Sequence, residues 1–247
     1  MIFDSHAHIE KGIINPLEVG LEGYDLEVTG KNYICNFSNL LETYLKYKTS
    51  ADTLCYIFDF RDEVEIAKTK ELLQAGIIQG LKIHSRIQKI QRAEYDLICE
   101  RLQMIDEKVP VILDAWYYGS ELKYNPDLEG LIQIAKSQPN RNFVIAHAGG
   151  YRIIEYFYHT RELENVHYDL SLTTQYLSDS SLYLDFKKFI KWIEKDRILF
   201  GSDYPYGSPK LQYESIRIIM EELQFTDVDK DQVSYKNAKR IYGNYGA

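Results

Sequence analysis

The chain has 247 residues, 45% of them hydrophobic and 27% charged, with a formal net charge of −8. That length suits one barrel-sized domain of roughly 250 residues or two smaller ones, and the composition supports a buried core. The acidic balance argues against a nucleic-acid binder, whose phosphate contacts need clustered Lys and Arg, and no apolar run approaches the ~18 residues of a membrane span.

The amino terminus, MIFDSH, has neither a basic region nor an apolar one, so no signal peptide is expected. Cys35, Cys55 and Cys99 are odd in number and form no CxxC pair, which reads as reduced, mostly buried thiols of a cytoplasmic protein. Short apolar or β-branched runs predict strands at 2–5, 32–37, 53–58, 78–83, 109–113, 143–146, 166–169 and 197–200. The stretch 12–30, rich in glycine, reads as a long loop. Helical periodicity puts Tyr95, Ile98, Leu102 and Ile105 on one face. The same spacing groups Leu128, Leu131, Ile132 and Ala135, then Leu182, Phe186, Phe189 and Ile193, then Ile216, Ile219, Met220 and Leu223.

Strands alternating with helices imply a parallel sheet covered by helices. About eight strands favour a closed (β/α)8 barrel, one domain over 1–247, above an open doubly wound sheet. The GxGxxG turn of a Rossmann sheet is absent after the first strand.

The chemistry-bearing residues gather at predicted strand ends. His6 and His8 end the first strand, and residues i and i+2 of a strand point to the same side. Both imidazoles can therefore face the barrel mouth and chelate one ion, or they are incidental histidines. Lys82 and His84 end the fourth strand as site residues or as a solvent-exposed rim. His147 follows the sixth strand and precedes two glycines; its plain alternative is a buried histidine bonded to backbone. Asp203 follows a Gly-Ser turn after the eighth strand, where a barrel carboxylate reads as catalytic, although an Asp there also caps turns. Four of the six histidines fall at strand ends, and that clustering favours an active site over chance.

These segments resemble the amidohydrolase superfamily, in particular the amidohydrolase-2 group of TIM-barrel metal-dependent hydrolases and decarboxylases. FDSHAH resembles the group's first-strand HxH, and GIIQGLKIH its fourth-strand segment. EKVPVILDAW, NFVIAHAGG and VHYDLSLT are similar to the fifth, sixth and seventh. RILFGSDYPYG matches the eighth.

The resemblance implies that His6, His8 and Asp203 are metal ligands. It makes His147 a ligand or an acid/base that polarises substrate, with Asp203 and His147 the catalytic pair. Asp114 stands where the group places a metal-binding histidine. It either replaces that ligand or marks a degraded site. One divalent ion is expected, zinc or alternatively manganese, since Lys82 is the only candidate for a carboxylated bridging lysine.

Trp116, Tyr117 and Tyr118, then Tyr151 and Arg152, then Tyr204 and Tyr206, follow strands five, six and eight. They line a pocket for a flat substrate or pack under loops. Lys82, His84, Trp116, Arg152 and Tyr204 are the substrate-binding candidates. Arg152 or Arg86 offers a fork to a carboxylate, unless either is a solvated surface arginine. Asp169 and Ser171 are placed to orient ligands, whereas His159 and His167 read as structural.

The expected function is hydrolysis of a small-molecule carbonyl substrate (amide, ester or lactone) by a metal-activated water. The alternatives are decarboxylation on the same scaffold and a non-catalytic barrel. The expected partner is a small molecule, with no nucleic acid or membrane; a homo-oligomer is left open.

Overall fold

A computed structural model describes residues 1–9, 24–35 and 40–243. The 12–23 part of the expected loop and the 36–37 end of the expected second strand lie outside them. Eight parallel strands pair in chain order: β1 (Phe3–Ile9), β2 (Gly30–Cys35), β3 (Thr53–Ile57), β4 (Gly80–Ile83), β5 (Val111–Leu113), β6 (Phe143–Ile145), β7 (Val166–Asp169) and β8 (Ile198–Leu199). The segment after β8 returns to β1 and closes the ring. Ser5 N donates to the Phe200 carbonyl at 3.0 Å, Asp203 N to His6 O at 2.8 Å and His8 N to Tyr204 O at 2.7 Å. The fold is the expected (β/α)8 barrel.

Ten helices occur among the described residues: α1 (Leu41–Tyr47), α2 (Glu63–Gln74), α3 (Tyr95–Gln103), α4 (Leu128–Ser137), α5 (Ile153–Thr160), α6 (Thr173–Leu177), α7 (Leu182–Trp192), α8 (Pro209–Glu222), α9 (Asp227–Asp231) and α10 (Asn237–Tyr242). The four expected apolar faces fall on α3, α4, α7 and α8. Their centres are buried, while Ile132, Leu182 and Leu223 at the edges are only partly so. Local rules set the starts. Asp62 and Asp127 cap α2 and α4 through Val64 N and Glu129 N. Ser208 caps α8 with Pro209 in its first turn.

Strand β1 runs four residues past its expected end, so His6 and His8 lie inside it. A register shift between Asp4 and Ala7 sets which way they face. Phe3 points into the barrel with Ile34, Cys55, Ile112, Val144 and Leu199, beside Ala238, Ile241 and Tyr242 of α10. Strict alternation from Phe3 would aim Ser5 and Ala7 inward and the histidines outward. The extra residue of a bulge reverses that parity. Ala7 pairs with the outward-facing Tyr33, and both imidazoles turn inside.

Two buried polar groups outside the barrel mouth make testable demands. Arg141 is fully buried and uses its whole guanidinium. It donates to Gln138 Oε1 at 2.7 Å, Asp106 O at 3.0 Å, Val109 O at 2.6 Å, and Leu102 O and Ile105 O at 2.9 Å. It thereby ties the turn after α3 to β5. Arg141→Met strands several buried carbonyls and is expected to destabilise the protein by about 3–5 kcal/mol, measured by denaturant unfolding. Arg141→Lys should recover little, because a point charge cannot fill the fork.

His167 on β7 is buried, with Nε2 3.0 Å from Asn142 Oδ1. Burial, then Arg240 and Arg197, lower its pKa from 6.5 to about 3. The unfolded imidazole therefore takes a proton across a window where the folded one refuses it. Stability from this group is present above about pH 6.5 and is lost as pH falls toward 3. Between neutral pH and about pH 5 the loss should be roughly 2 kcal/mol. Unfolding at both pH values should show that loss reduced in His167→Asn; an equal loss in both proteins would refute the assignment.

Candidate functional site

The C-terminal ends of the strands converge on a cavity of about 310 Å³. Three buried donors meet at its wall. His6 Nε2 lies 3.1 Å from His8 Nε2 and 3.2 Å from Asp203 Oδ1, and His8 Nε2 lies 3.0 Å from the same oxygen. Asp203 adopts a left-handed φ of 61°, which Asp tolerates better than most residues and which swings its carboxylate back toward β1.

The donor chemistry fits a divalent cation. His6 Nδ1 is 3.0 Å from Asp169 Oδ2 and therefore carries the proton, which leaves the Nε2 lone pair facing the other two donors. A single proton on His8 satisfies only part of this triangle of acceptors, whereas a cation satisfies all of it. The edges of 3.0–3.2 Å suit donors that bind one centre at about 2.0–2.2 Å. These three side chains are the group among the described residues able to hold an ion.

A second layer fixes the first. Asp169 Oδ1 accepts from His147 N at 3.2 Å, from Ser171 N at 2.9 Å and from the Ser171 hydroxyl. Burial works against the Asp169 carboxylate, but His6, His147 and Ser171 bring its pKa to about 2. Asp4, at the start of β1, accepts from His6 N at 3.1 Å, Ser202 N at 2.9 Å, Ser202 Oγ at 2.6 Å and Tyr24 hydroxyl at 2.7 Å. It joins β1 to the turn that carries Asp203. Burial still pushes the Asp4 carboxyl above its ordinary range.

His147 begins a run of left-handed residues: His147 φ 56°, Ala148 φ 48°, Gly149 φ 86° and Gly150 φ 57°. The glycines make the end of that run possible. A Cβ on Gly149 would come within 2.3 Å of the Tyr156 ring, and one on Gly150 within 2.8 Å of Trp116. The turn sets the His147 ring 5.0 Å from His6, with Nδ1 3.1 Å from the Ser171 carbonyl. Nδ1 is thus the donor, and Nε2 lies 3.7 Å from Asp114 Oδ1.

Asp114 stands apart from the three-donor group. Its other oxygen lies 3.4 Å from His84 Nδ1, so the carboxylate sits between two imidazoles. Burial opposes its charge, yet His84, Lys82, His147 and Arg86 hold it below the ordinary carboxylate range. Burial also raises Asp203, but His147, His8 and His6 outweigh it and keep the carboxylate ionised. Burial, then the Lys82 charge, lowers His8 to about 4; burial likewise lowers His84 to about 3.

Residues 91–244 match the sequence profile of the amidohydrolase family, more than half of the chain. The chain belongs to that family. Asp114, His147 and Asp203 lie within the matched stretch; His6 and His8 precede it and join it through the closed barrel. No sequence among curated proteins matches the chain.

Solved structures share the amidohydrolase fold at low identity. An uncharacterised TIM-barrel protein from Bordetella bronchiseptica aligns with a TM-score of 0.64 at 18% identity over 87% of this chain and 79% of its own. The 2,6-dihydroxybenzoate decarboxylase from Rhizobium aligns at 0.62 and 13% identity over 98% of each chain. The 5-carboxyvanillate decarboxylase from Sphingomonas paucimobilis aligns at 0.57 and 11% identity, again over 98% of each.

The expected site residues of this amidohydrolase divide into two groups. His8, Lys82, His84, Asp114, Trp116, His147 and Asp203 line the cavity, with His6 directly behind His8 and Asp203. Lys82 and His84 are buried and not a solvated rim. Arg152 and Tyr204 do not line it. The Arg152 guanidinium is held by the Tyr117 hydroxyl at 2.5 Å and by Glu155 at 2.8 Å. The Tyr204 ring packs on Tyr24, with centroids 5.4 Å apart. Arg86 and Tyr206 reach the cavity in their place.

Sequence reasoning missed Ile87, Leu172 and Tyr176 of the lining and the bonding role of Asp4. The positions of Leu172 and Tyr176, shortly after strand seven, offered a signal.

Proposed function

We propose that this amidohydrolase is a metal-dependent hydrolase acting on a small, flat carbonyl substrate, an amide, ester or lactone. The observation that carries the reading is the convergence of His6 Nε2, His8 Nε2 and Asp203 Oδ1 on the cavity that also holds His147. Two imidazoles and a carboxylate suit zinc, with manganese the alternative. A divalent ion there supplies Lewis acidity, which polarises a carbonyl oxygen and eases loss of a proton from water.

The side chains do the rest. Asp203, ionised at ordinary pH, accepts the proton that the attacking water gives up. His147 holds its Nδ1 proton against the Ser171 carbonyl, which aims Nε2 outward. Protonated there, it donates to the leaving group, with Asp114 Oδ1 3.7 Å away on the cavity wall. Trp116, Tyr118, Tyr176 and Tyr206 give the cavity aromatic walls for a planar body.

The second reading, decarboxylation, is favoured by the likeness in fold to the two decarboxylases. One panel separates the two. Zinc-loaded protein is offered lactones and esters, with acid release followed by titration, and aromatic carboxylic acids, with carbon dioxide measured. Acid release from a carbonyl substrate supports hydrolysis. Carbon dioxide from an aromatic acid, with the lactones and esters untouched, overturns it.

A further inference from the structure

Strand β4 and the turn after it bring Lys82 and Arg86 to the same cavity. Lys82 is 1% exposed; burial lowers its pKa, the charges of Asp114, Asp203 and Asp169 work against that, and its Nζ makes no hydrogen bond among the described residues. An ammonium has three donors to place, and leaving them unmade in a buried site is unfavourable. Arg86 repeats the pattern: its Nε is buried and has no hydrogen-bond partner among the described residues, while its guanidinium lies over the Tyr118 ring at 5.1 Å. Two cationic groups one helical turn's spacing apart in sequence thus present unused donors to one space.

Charge points the same way. The cavity wall carries two carboxylates, Asp114 and Asp203, against two cations, Lys82 and Arg86. Those charges balance without an ion, and a divalent ion on His6, His8 and Asp203 would tip the wall positive, but the unused donors of Lys82 and Arg86 call for an anion with or without it. A carboxylate fits the donors: Arg supplies a planar fork and Lys a point charge. The aromatic side chains beside them suit a flat body that bears it.

We propose that Lys82 and Arg86 form an anion subsite, separate from the His6–His8–Asp203 group, that holds a substrate carboxylate remote from the reacting carbonyl. The inference rests on reading the cavity as the substrate site, but not on the metal or the reaction. Lys82 and Arg86 select an acidic substrate over its neutral amide or ester counterpart.

The test is calorimetric titration with benzoate and with benzamide, its neutral isostere. It uses chelator-treated wild-type protein, Lys82→Met and Arg86→Met, and zinc content after reloading is measured on the same preparations. Benzoate is expected to bind the chelator-treated wild type, and each substitution to weaken it about 10- to 100-fold. Benzamide should bind weakly and alike to all three, and zinc uptake should stay unchanged. Equal benzoate affinity in the variants, no binding to the wild type, or binding only after zinc is restored would each overturn the subsite. Zinc uptake keeps the two readings distinct. Normal uptake with indifferent variants sinks the subsite alone. No uptake with Lys82-dependent benzoate binding sinks the metal-dependent reading alone.

Discussion

Asp203→Asn should reduce turnover about 10²- to 10⁴-fold on whichever substrate the panel identifies, the range for loss of a positioned acid/base group. The substitution is nearly isosteric, and Asn accepts the left-handed backbone that Asp203 adopts at φ 61°. The fold should therefore persist, with an unfolding midpoint close to that of the wild type. What changes is the oxygen 3.0 Å from His8 Nε2 and 3.2 Å from His6 Nε2, which loses its negative charge, and the proton acceptor, which disappears. Steady-state kinetics beside a denaturation curve separates these effects. Near-full turnover in a folded Asn variant would remove Asp203 from the mechanism.

Asp169→Asn should act one layer further out and still weaken zinc binding by about 10- to 100-fold, the usual effect of losing a carboxylate behind a histidine ligand. Asp169 Oδ2 is the acceptor for His6 Nδ1 at 3.0 Å, while Oδ1 is already taken by His147 N, Ser171 N and the Ser171 hydroxyl. An amide keeps one acceptor, and the three donors on the Oδ1 side claim it. Its NH₂ then faces His6 and favours the tautomer with the proton on Nε2, the atom turned toward His8 and Asp203. A lone pair needed for the ion is lost although no ligand has been mutated. Competition against a chromophoric chelator measures the affinity, and nitrogen-15 shifts of His6 report the tautomer. Unchanged affinity with the original tautomer would show that Asp169 supports the backbone alone.

Much of the fold was legible because barrel strands, covered on both faces, are short apolar runs, and such runs survive in the sequence at β3, β5, β6 and β8, with polar residues interrupting β1, β2 and β7. The side that β1 presents to the barrel interior was not legible. It depends on one extra residue between Asp4 and Ala7, and nothing in FDSHAHI announces a bulge. Spacing alone established that His6 and His8 share a side; the register with Tyr33 makes that side the interior. Sequence position placed Asp203, His147 and Asp114 at strand ends but not their distances, which follow from backbone at positive φ and from the closed ring.

Asp114 illustrates the limit. Its place in the sequence leaves a substituted ligand and a degraded site equally open, and position alone gave no hint that its oxygens lie 3.4 Å from His84 and 3.7 Å from His147. Arg152 and Tyr204 follow strands six and eight, a position that points to the cavity. Tyr117 with Glu155 holds the one and Tyr24 packs on the other, away from the cavity; the i,i+3 pair with Glu155 is visible in the sequence, but the contacts with Tyr117 and Tyr24 span long sequence distances and leave no local trace.

The most direct test of the account is elemental analysis of protein purified without chelators and then offered excess zinc or manganese, beside the His6→Ala/His8→Ala double variant. The account predicts about one equivalent of divalent metal in the wild type and none in the folded double variant. No metal in the wild type even with excess ion, or equal metal in both proteins, would contradict it.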